Sequence, residues 1–230
     1  MMAYQQIKNS SNPQVIGTSN GVYQVEINED LLLENENYKE IESVFFSSFT
    51  DITRFNNLAL KLNCQPIEAH LVKRAVLTDL MGFSPYFFGC SFMISLKFLK
   101  YLREFGIDNE VNVLPVNIKG ADNLVYILFV SMISIDSIDF KESRLIDSSN
   151  PYNKKLVNIK SYQEFRNYQE SGIYFDFDRI CIPKKFQNKS ILNLQAESNL
   201  FFSDELIRFL KTKDISSFEI SNRQTELIFN

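Results

Sequence analysis

The stretch that decides the fold occurs twice: residues 90–118 read CSFMISLKFLKYLREFGIDNEVNVLPVNI, and residues 199–220 read NLFFSDELIRFLKTKDISSFEI. Aligned on Ser95 and Ser203, the two copies match at apolar positions with an offset of 108 residues. The pattern in each copy predicts an apolar strand, a serine, an amphipathic helix of about ten residues and a second strand. The repeat therefore describes how the chain is built and carries no chemistry of its own.

Both serines stand where a helix is expected to begin. The first four N–H groups of a helix lack intrahelical partners, and a serine hydroxyl at the N-cap accepts a hydrogen bond from one of them. A nucleophilic role is the alternative, but neither serine lies in a Gly-x-Ser-x-Gly elbow, and the single histidine, His70, is in another segment. We therefore predict that Ser95 and Ser203 are helix caps, with Gly106 near the end of the first helix.

The composition is that of a globular chain with an aromatic interior. The 230 residues are 45% hydrophobic and include 21 phenylalanines but no tryptophan. The segment Leu124–Ile133 is β-branched, aromatic and nearly all apolar, which fits a central strand covered on both faces. Strands that alternate with helices predict an α/β or α+β fold. We expect one mixed-sheet domain over residues 1–230, in which the two copies of the repeat share a sheet.

Several features of the sequence indicate a cytoplasmic protein. No apolar run approaches the roughly 18 residues that a membrane span requires. The N-terminus, MMAYQQIKNSSNPQ, lacks the basic and then apolar pattern of a signal peptide. Cys64, Cys90 and Cys181 have no C-x-x-C spacing, so buried free thiols in a reducing compartment are expected. These observations predict a cytoplasmic location and no membrane partner.

The net charge of −4 is unevenly spread, because residues 26–51 hold eight acidic residues against Lys39 alone. Such a run is usually a solvated helix face. The alternative is a surface for a basic protein, in which Phe45 or Phe46 would supply apolar contact. We predict a helix over Tyr38–Phe49, and the candidate binding residues are Glu34 and Glu36, just before it, and Glu40 and Glu42, within it. Nucleic acid is not expected as a partner, because it requires clustered Lys and Arg.

Motifs for nucleotide, cofactor and metal binding are missing. The sequence contains neither Gly-x-Gly-x-x-Gly nor Gly-x-x-x-x-Gly-Lys-Ser/Thr, and a single histidine excludes any His pair. Cys90 is a candidate nucleophile only if His70 approaches it in space, and the start of an apolar strand is the simpler interpretation. We therefore expect no cofactor, no resident metal and no catalytic residue.

One enzymatic pattern remains, formed by Asp136, Asp139 and Lys141 after the apolar strand. Carboxylates that hold Mg²⁺ and a lysine that positions the attacking water form the site of some metal-dependent nucleases. The structural interpretation is that Ile138 and Phe140 point inward while Asp139 or Ser143 caps a turn. We predict the turn and keep the nuclease as the alternative.

The order of several weak motifs is similar to that of a known family. GCSFMIS is followed by a helix, by FGIDNEVNVLPVNI and by an apolar strand that ends at SIDFKESRL. This order resembles a family of bacterial immunity proteins from polymorphic toxin systems, which includes a myxobacterial immunity domain. The resemblance extends over about residues 67–230, and residues 1–66 are unmatched. Its further elements in this chain are Thr78-Asp79, Ile138-Asp139-Phe140, Ser143, Phe202-Ser203 and Ile215-Ser216-Ser217-Phe218.

The resemblance implies an inhibitor that binds a cognate toxin in the cytoplasm of the cell that makes both. It transfers no catalytic residue, because the family has no catalytic motif. It leaves the toxin, the contact surface and the oligomeric state open. The alternatives are the metal-dependent nuclease and a non-enzymatic adaptor. A neighbouring gene for a large secreted protein with a C-terminal toxin domain would favour immunity, whereas metal-dependent activity lost in Asp139→Ala would favour the enzyme.

Overall fold

The structure is a computed structural model. It describes residues 3–19, 23–47, 51–107, 110–122, 124–150 and 154–230. These residues form seven α-helices: α1 Pro13–Ile16, α2 Glu29–Glu34, α3 Tyr38–Phe45, α4 Ile52–Lys61, α5 Leu96–Glu104, α6 Tyr162–Glu170 and α7 Asp204–Lys211. The same residues form sixteen strands: β1 Tyr4–Asn9, β2 Val25–Ile27, β3 Ile67–Leu71, β4 Leu80–Met81, β5 Phe83–Ser84, β6 Phe92–Ser95, β7 Val111–Ile118, β8 Val125–Val130, β9 Met132–Ile133, β10 Arg144–Asp147, β11 Lys155–Val157, β12 Phe175–Ile182, β13 Ile191–Leu194, β14 Phe201–Ser203, β15 Phe218–Ile220 and β16 Glu226–Phe229.

The strands form three sheets, and the fold is α+β. A seven-stranded sheet has the order β4-β6-β8-β7-β3-β2-β5, and a five-stranded sheet has the order β15-β1-β14-β13-β9. A four-stranded sheet has the order β11-β10-β12-β16. Parallel pairs, such as β3 with β7 and β12 with β16, occur beside antiparallel ones, so the sheets are mixed as predicted.

The repeat is present as two split β-α-β units. In the first copy, β6 and β7 both run antiparallel to β8, which lies between them. In the second copy, β14 and β15 both run antiparallel to β1. The expectation that the copies share a sheet was wrong. The middle strand of the second unit comes from the start of the chain, so this unit builds the five-stranded sheet separately from the seven-stranded one.

The two repeat helices meet in one apolar cluster. Phe98 and Leu102 of α5 and Leu206 and Leu210 of α7 are buried together there. Ser95 Oγ accepts a hydrogen bond from the Phe98 N–H at 3.1 Å, and Ser203 Oγ accepts one from the Leu206 N–H at 3.2 Å. Both serines are therefore N-caps, as predicted. Gly106 follows α5 with a φ of 91°, the left-handed conformation that often follows a helix.

The chain passes from one sheet to another inside the predicted strand Leu124–Ile133. β8 lies between β6 and β7, which confirms a central position. After Ser131, however, β9 pairs with β13 in the five-stranded sheet. Residues 1–66, which the family resemblance does not cover, contribute β1 and β2 to two different sheets, so they are an integral part of the fold.

The interior is rich in phenylalanine, as the composition predicted. Phe45, Phe55, Phe87 and Phe129 pack on one another with ring centroids 5.4–6.3 Å apart. All four belong to one apolar cluster, which α3 and α4 form together with strands of the seven-stranded sheet. Among the described residues, no helix has both the length and the apolar character needed to cross a membrane.

Candidate protein-binding face

The acidic segment forms α2, a short connection and α3. Ile41, Val44 and Phe45 are the buried side of α3, so the intervening residues face solvent. The four candidate glutamates are all exposed: Glu34 ends α2, Glu36 is in the connection, and Glu40 and Glu42 are on α3. We call these four residues the acidic surface. The predicted helix Tyr38–Phe49 ends earlier, at Phe45, and Phe49 lies outside the described residues.

The contacts of the acidic surface leave its charge intact. The Asn37 side chain donates to Glu40 at 2.9 Å, and the Tyr38 hydroxyl donates to Glu42 at 2.8 Å. The latter hydrogen bond raises the pKa of Tyr38. In the described part of the chain, no Lys or Arg forms an ion pair with any of the four glutamates. Four carboxylates on α2, α3 and the connection between them are therefore available to a positively charged partner.

The two phenylalanines at the end of α3 have different environments. Phe45 is 2% exposed and packs in the core, so it cannot contact a partner. Phe46 is 41% exposed, and its ring lies edge-on to that of Phe87, with centroids 4.8 Å apart. Of the two contact residues proposed from the sequence, only Phe46 is therefore accessible to a partner.

Tyr86 is an exposed aromatic residue that the sequence did not single out. It is 67% exposed and precedes the fully buried Phe87 in the loop between β5 and β6. The Phe88 N–H donates to the Phe45 carbonyl at 3.1 Å, which fixes this loop against the end of α3. An exposed tyrosine cannot be told from a buried one by composition, so only the packing of the loop could have indicated it.

A cavity of about 430 Å³ lies at the start of α5, and Asp79, Ser95, Lys97 and Ser216 are among the polar residues that line it. The Asp79 carboxylate accepts hydrogen bonds from the Ser95 hydroxyl at 2.6 Å, the Ser216 N–H at 2.9 Å and the Ser216 hydroxyl at 3.0 Å. Lys97 Nζ lies 3.3 Å from the same carboxylate. These contacts link the two repeat units through Asp79.

The pKa of Asp79 reflects a balance of opposing influences. Burial is the largest and raises the pKa, because it disfavours the charged form. The Ser216 N–H, the Ser95 and Ser216 hydroxyls and the charge of Lys97 together outweigh burial, so the pKa lies below its ordinary value. Asp79 is therefore a charged, fully hydrogen-bonded structural bridge.

The nuclease pattern is built into a turn. The Asp139 carboxylate accepts hydrogen bonds from the Lys141 N–H at 3.0 Å and from the Asn230 side chain at 2.8 Å. Ile138 and Phe140 are buried, so the predicted turn is confirmed. Asp136 lies in a separate 3₁₀ turn, Ile135–Ser137. Within the described ranges, no group of three His, Cys, Asp or Glu side chains is arranged to hold a metal ion.

The Cys90–His70 pair does not form. Cys90 is 2% exposed, and burial raises the pKa of its thiol far above the ordinary value. His70 is exposed on β3, where its Nε2 lies 3.6 Å from a carboxylate oxygen of Glu26. Cys64 and Cys181 are also free and buried, and burial raises the pKa of Cys64 to about 11. The three cysteines are therefore core residues, as expected.

Comparisons with known proteins assign this chain to no family. The chain matches no protein-family model and has no significant match among curated proteins.

Proposed function

We propose that the protein is an immunity protein that binds and neutralises a cognate bacterial toxin in the cytoplasm. The observation that carries the proposal is the acidic surface, whose exposed carboxylates have no cationic partner in the described chain. A toxin that acts on nucleic acid or nucleotides needs a basic cleft to hold its substrate. A surface of opposite charge is suited to cover that cleft.

The charge arrangement predicts how such a complex would form. Complementary charges mainly speed the encounter between partners and fix their orientation. Exposed charges are screened over about 8 Å at physiological ionic strength, so their effect weakens as salt is added. Rapid, salt-sensitive association is therefore the kinetic property expected of this inhibitor.

The resemblance to immunity proteins supports the same function from a different part of the chain. Its motifs lie within residues 67–230, on the repeat units and on the turn at Asp139. The acidic surface lies within residues 1–66. In this proposal, the resembling region supplies the framework and the acidic surface of the N-terminal region supplies the charged contacts to the particular toxin.

The nuclease and adaptor alternatives are less well supported. The Asp139 carboxylate is occupied by backbone and side-chain donors of its own turn. An adaptor would fit the same exposed surface, but its partner would not be toxic. Toxicity of the partner is thus the property that separates the immunity proposal from the adaptor.

The experiment is co-expression with the C-terminal domain of a large secreted protein encoded beside this gene. Cells that produce the domain alone should die, and cells that also produce this protein should survive, with the two proteins purifying together. When the four glutamates of the acidic surface are changed to glutamine, the control is the same change at four other exposed glutamates: Glu142, Glu170, Glu205 and Glu226. Death of the co-expressing cells despite soluble inhibitor would contradict the proposal.

A further inference from the structure

We propose that Phe46 and Tyr86 form an aromatic site, next to Glu42, that takes an arginine side chain from a basic protein partner. This inference rests on the proposed function and adds to it the chemistry of the central contact. Interfaces derive most of their affinity from a few residues, and aromatic residues and arginine are enriched among them. The acidic surface alone would supply long-range attraction without such a contact.

Contacts with the rest of the fold hold Phe46 and the loop that carries Tyr86. The Phe46 ring contacts that of Phe87, which is fully buried, at 4.8 Å between centroids. Tyr86 is the residue before Phe87, and its hydroxyl accepts a hydrogen bond from the Gly89 N–H at 3.4 Å. Phe46 therefore packs on a core phenylalanine, and Tyr86 is the exposed residue that precedes this phenylalanine in the chain. A contact surface that is ordered in advance loses less conformational entropy on binding.

Three electrostatic features favour a cation at Phe46. Glu42 is four residues before Phe46, and the Phe46 N–H donates to the Glu42 carbonyl at 3.0 Å, so the two side chains are neighbours on the helix surface. Phe46 stands at the C-terminus of α3, which is the negative end of the helix dipole. α3, which is described in full, has no basic residue in its last turn to offset that end.

The aromatic rings are also free to accept a cation. In the described chain, the cation–π contacts involve other rings: Lys185 over Phe186, and Lys213 over Tyr101 and Phe209. Arginine fits the site better than lysine, because its planar guanidinium stacks on a ring while its N–H groups bond to a carboxylate. The partner is thus expected to present arginine at the centre of its basic surface.

The experiment uses deca-arginine and deca-lysine peptides as probes of the full-length protein. Binding is measured by calorimetry, and the contact residues are located by backbone amide chemical shifts. Deca-arginine should bind more tightly than deca-lysine and should shift amides around Phe46, Glu42 and Tyr86. Phe46→Ala should weaken deca-arginine binding about 2–5-fold, the loss expected for an exposed cation–π contact.

Two further variants test whether the effect depends on the aromatic ring of Phe46. Phe46→Leu keeps apolar contact with Phe87 but removes the π face, so it should abolish the preference for arginine over lysine. Tyr174→Ala removes an aromatic side chain that is 73% exposed beside β12 and should leave binding unchanged. Equal deca-arginine affinity in wild type and both Phe46 variants, or shifts confined to other surfaces, would overturn the inference.

Failure of this inference is distinguishable from failure of the proposed function. If the protein neutralises the toxin and the Phe46 variants neutralise it equally well, the aromatic site is wrong and the immunity function stands. If deca-arginine binds at Phe46 but the neighbouring toxin is not neutralised, the aromatic site stands and the immunity function is wrong.

Discussion

Replacing Asp79 by alanine should strongly destabilise the protein, because this side chain connects the two repeat units. Its carboxylate accepts three hydrogen bonds from Ser95 and Ser216, and the side chain is only 10% exposed. Hydrogen bonds to a charged group contribute about 1.5–3 kcal/mol each. The adjacent cavity lets water reach the Ser95 and Ser216 donors once the carboxylate is removed. The expected loss of unfolding free energy is therefore below the sum of the three hydrogen bonds, about 2–4 kcal/mol.

Urea unfolding followed by circular dichroism at pH 7 measures this loss. For a urea dependence of about 2–3 kcal/mol per molar, the unfolding midpoint should fall by about 1 M. Asp214→Ala is the matched control, since its carboxylate lies 4.0 Å from the same Lys97 but is fully exposed, and its midpoint should not change. Equal midpoints for wild type and Asp79→Ala would refute the role of Asp79 as a bridge.

The pH dependence provides an independent check on Asp79. Its folded pKa lies below the unfolded value of about 3.9, so the unfolded state binds more protons in the acidic range. The contribution of Asp79 to stability is therefore present above the unfolded pKa and is lost as pH falls through the folded pKa. The stability difference between wild type and Asp79→Asn should shrink on going from pH 7 to strongly acidic pH. A constant difference would contradict this assignment.

Other predictions concern the core, a partly buried carboxyl and the turn. Leu102→Ala and Leu210→Ala should each cost about 2–5 kcal/mol of unfolding free energy, as buried leucines do, whereas Leu156→Ala, at a 67% exposed position, should change it little in the same urea assay. Burial raises the folded pKa of Glu197, so wild type should lose stability as pH rises above the unfolded pKa of about 4.3, and Glu197→Gln should flatten that part of the stability–pH curve. Asp139→Ala should lower the melting temperature by removing the turn hydrogen bonds, and neither wild type nor variant should cleave nucleic acid when Mg²⁺ is added.

Local signals in the sequence were sufficient for the repeat helices and their caps. A serine before an amphipathic stretch has one favourable local role, and Ser95 and Ser203 both fill it. The turn at Asp139 could be predicted for the same reason, since a short carboxylate bonds to N–H groups a few residues ahead. Such contacts depend on spacing of two or three residues and not on the rest of the fold.

Long-range arrangement could not be predicted in the same way. Nothing within the second repeat indicates that its middle strand is β1, almost two hundred residues earlier in the chain. The candidate site shows the same limit. The charge of Glu34–Glu42 is visible in the sequence, but the different burial of Phe45 and Phe46 and the placement of Tyr86 depend on Phe87, which lies in another segment.

The most direct test of the proposed function is the association rate with the proposed cognate toxin domain, measured at low and high salt. Wild type should associate rapidly at low salt and slow markedly as salt is added. The variant with Glu34, Glu36, Glu40 and Glu42 changed to Gln should associate slowly with little salt dependence, although it folds normally. The control with Glu142, Glu170, Glu205 and Glu226 changed to Gln has the same net charge as that variant. Its association rate and salt dependence should remain close to those of wild type. Identical rates and salt dependence for all three proteins would contradict binding through the acidic surface.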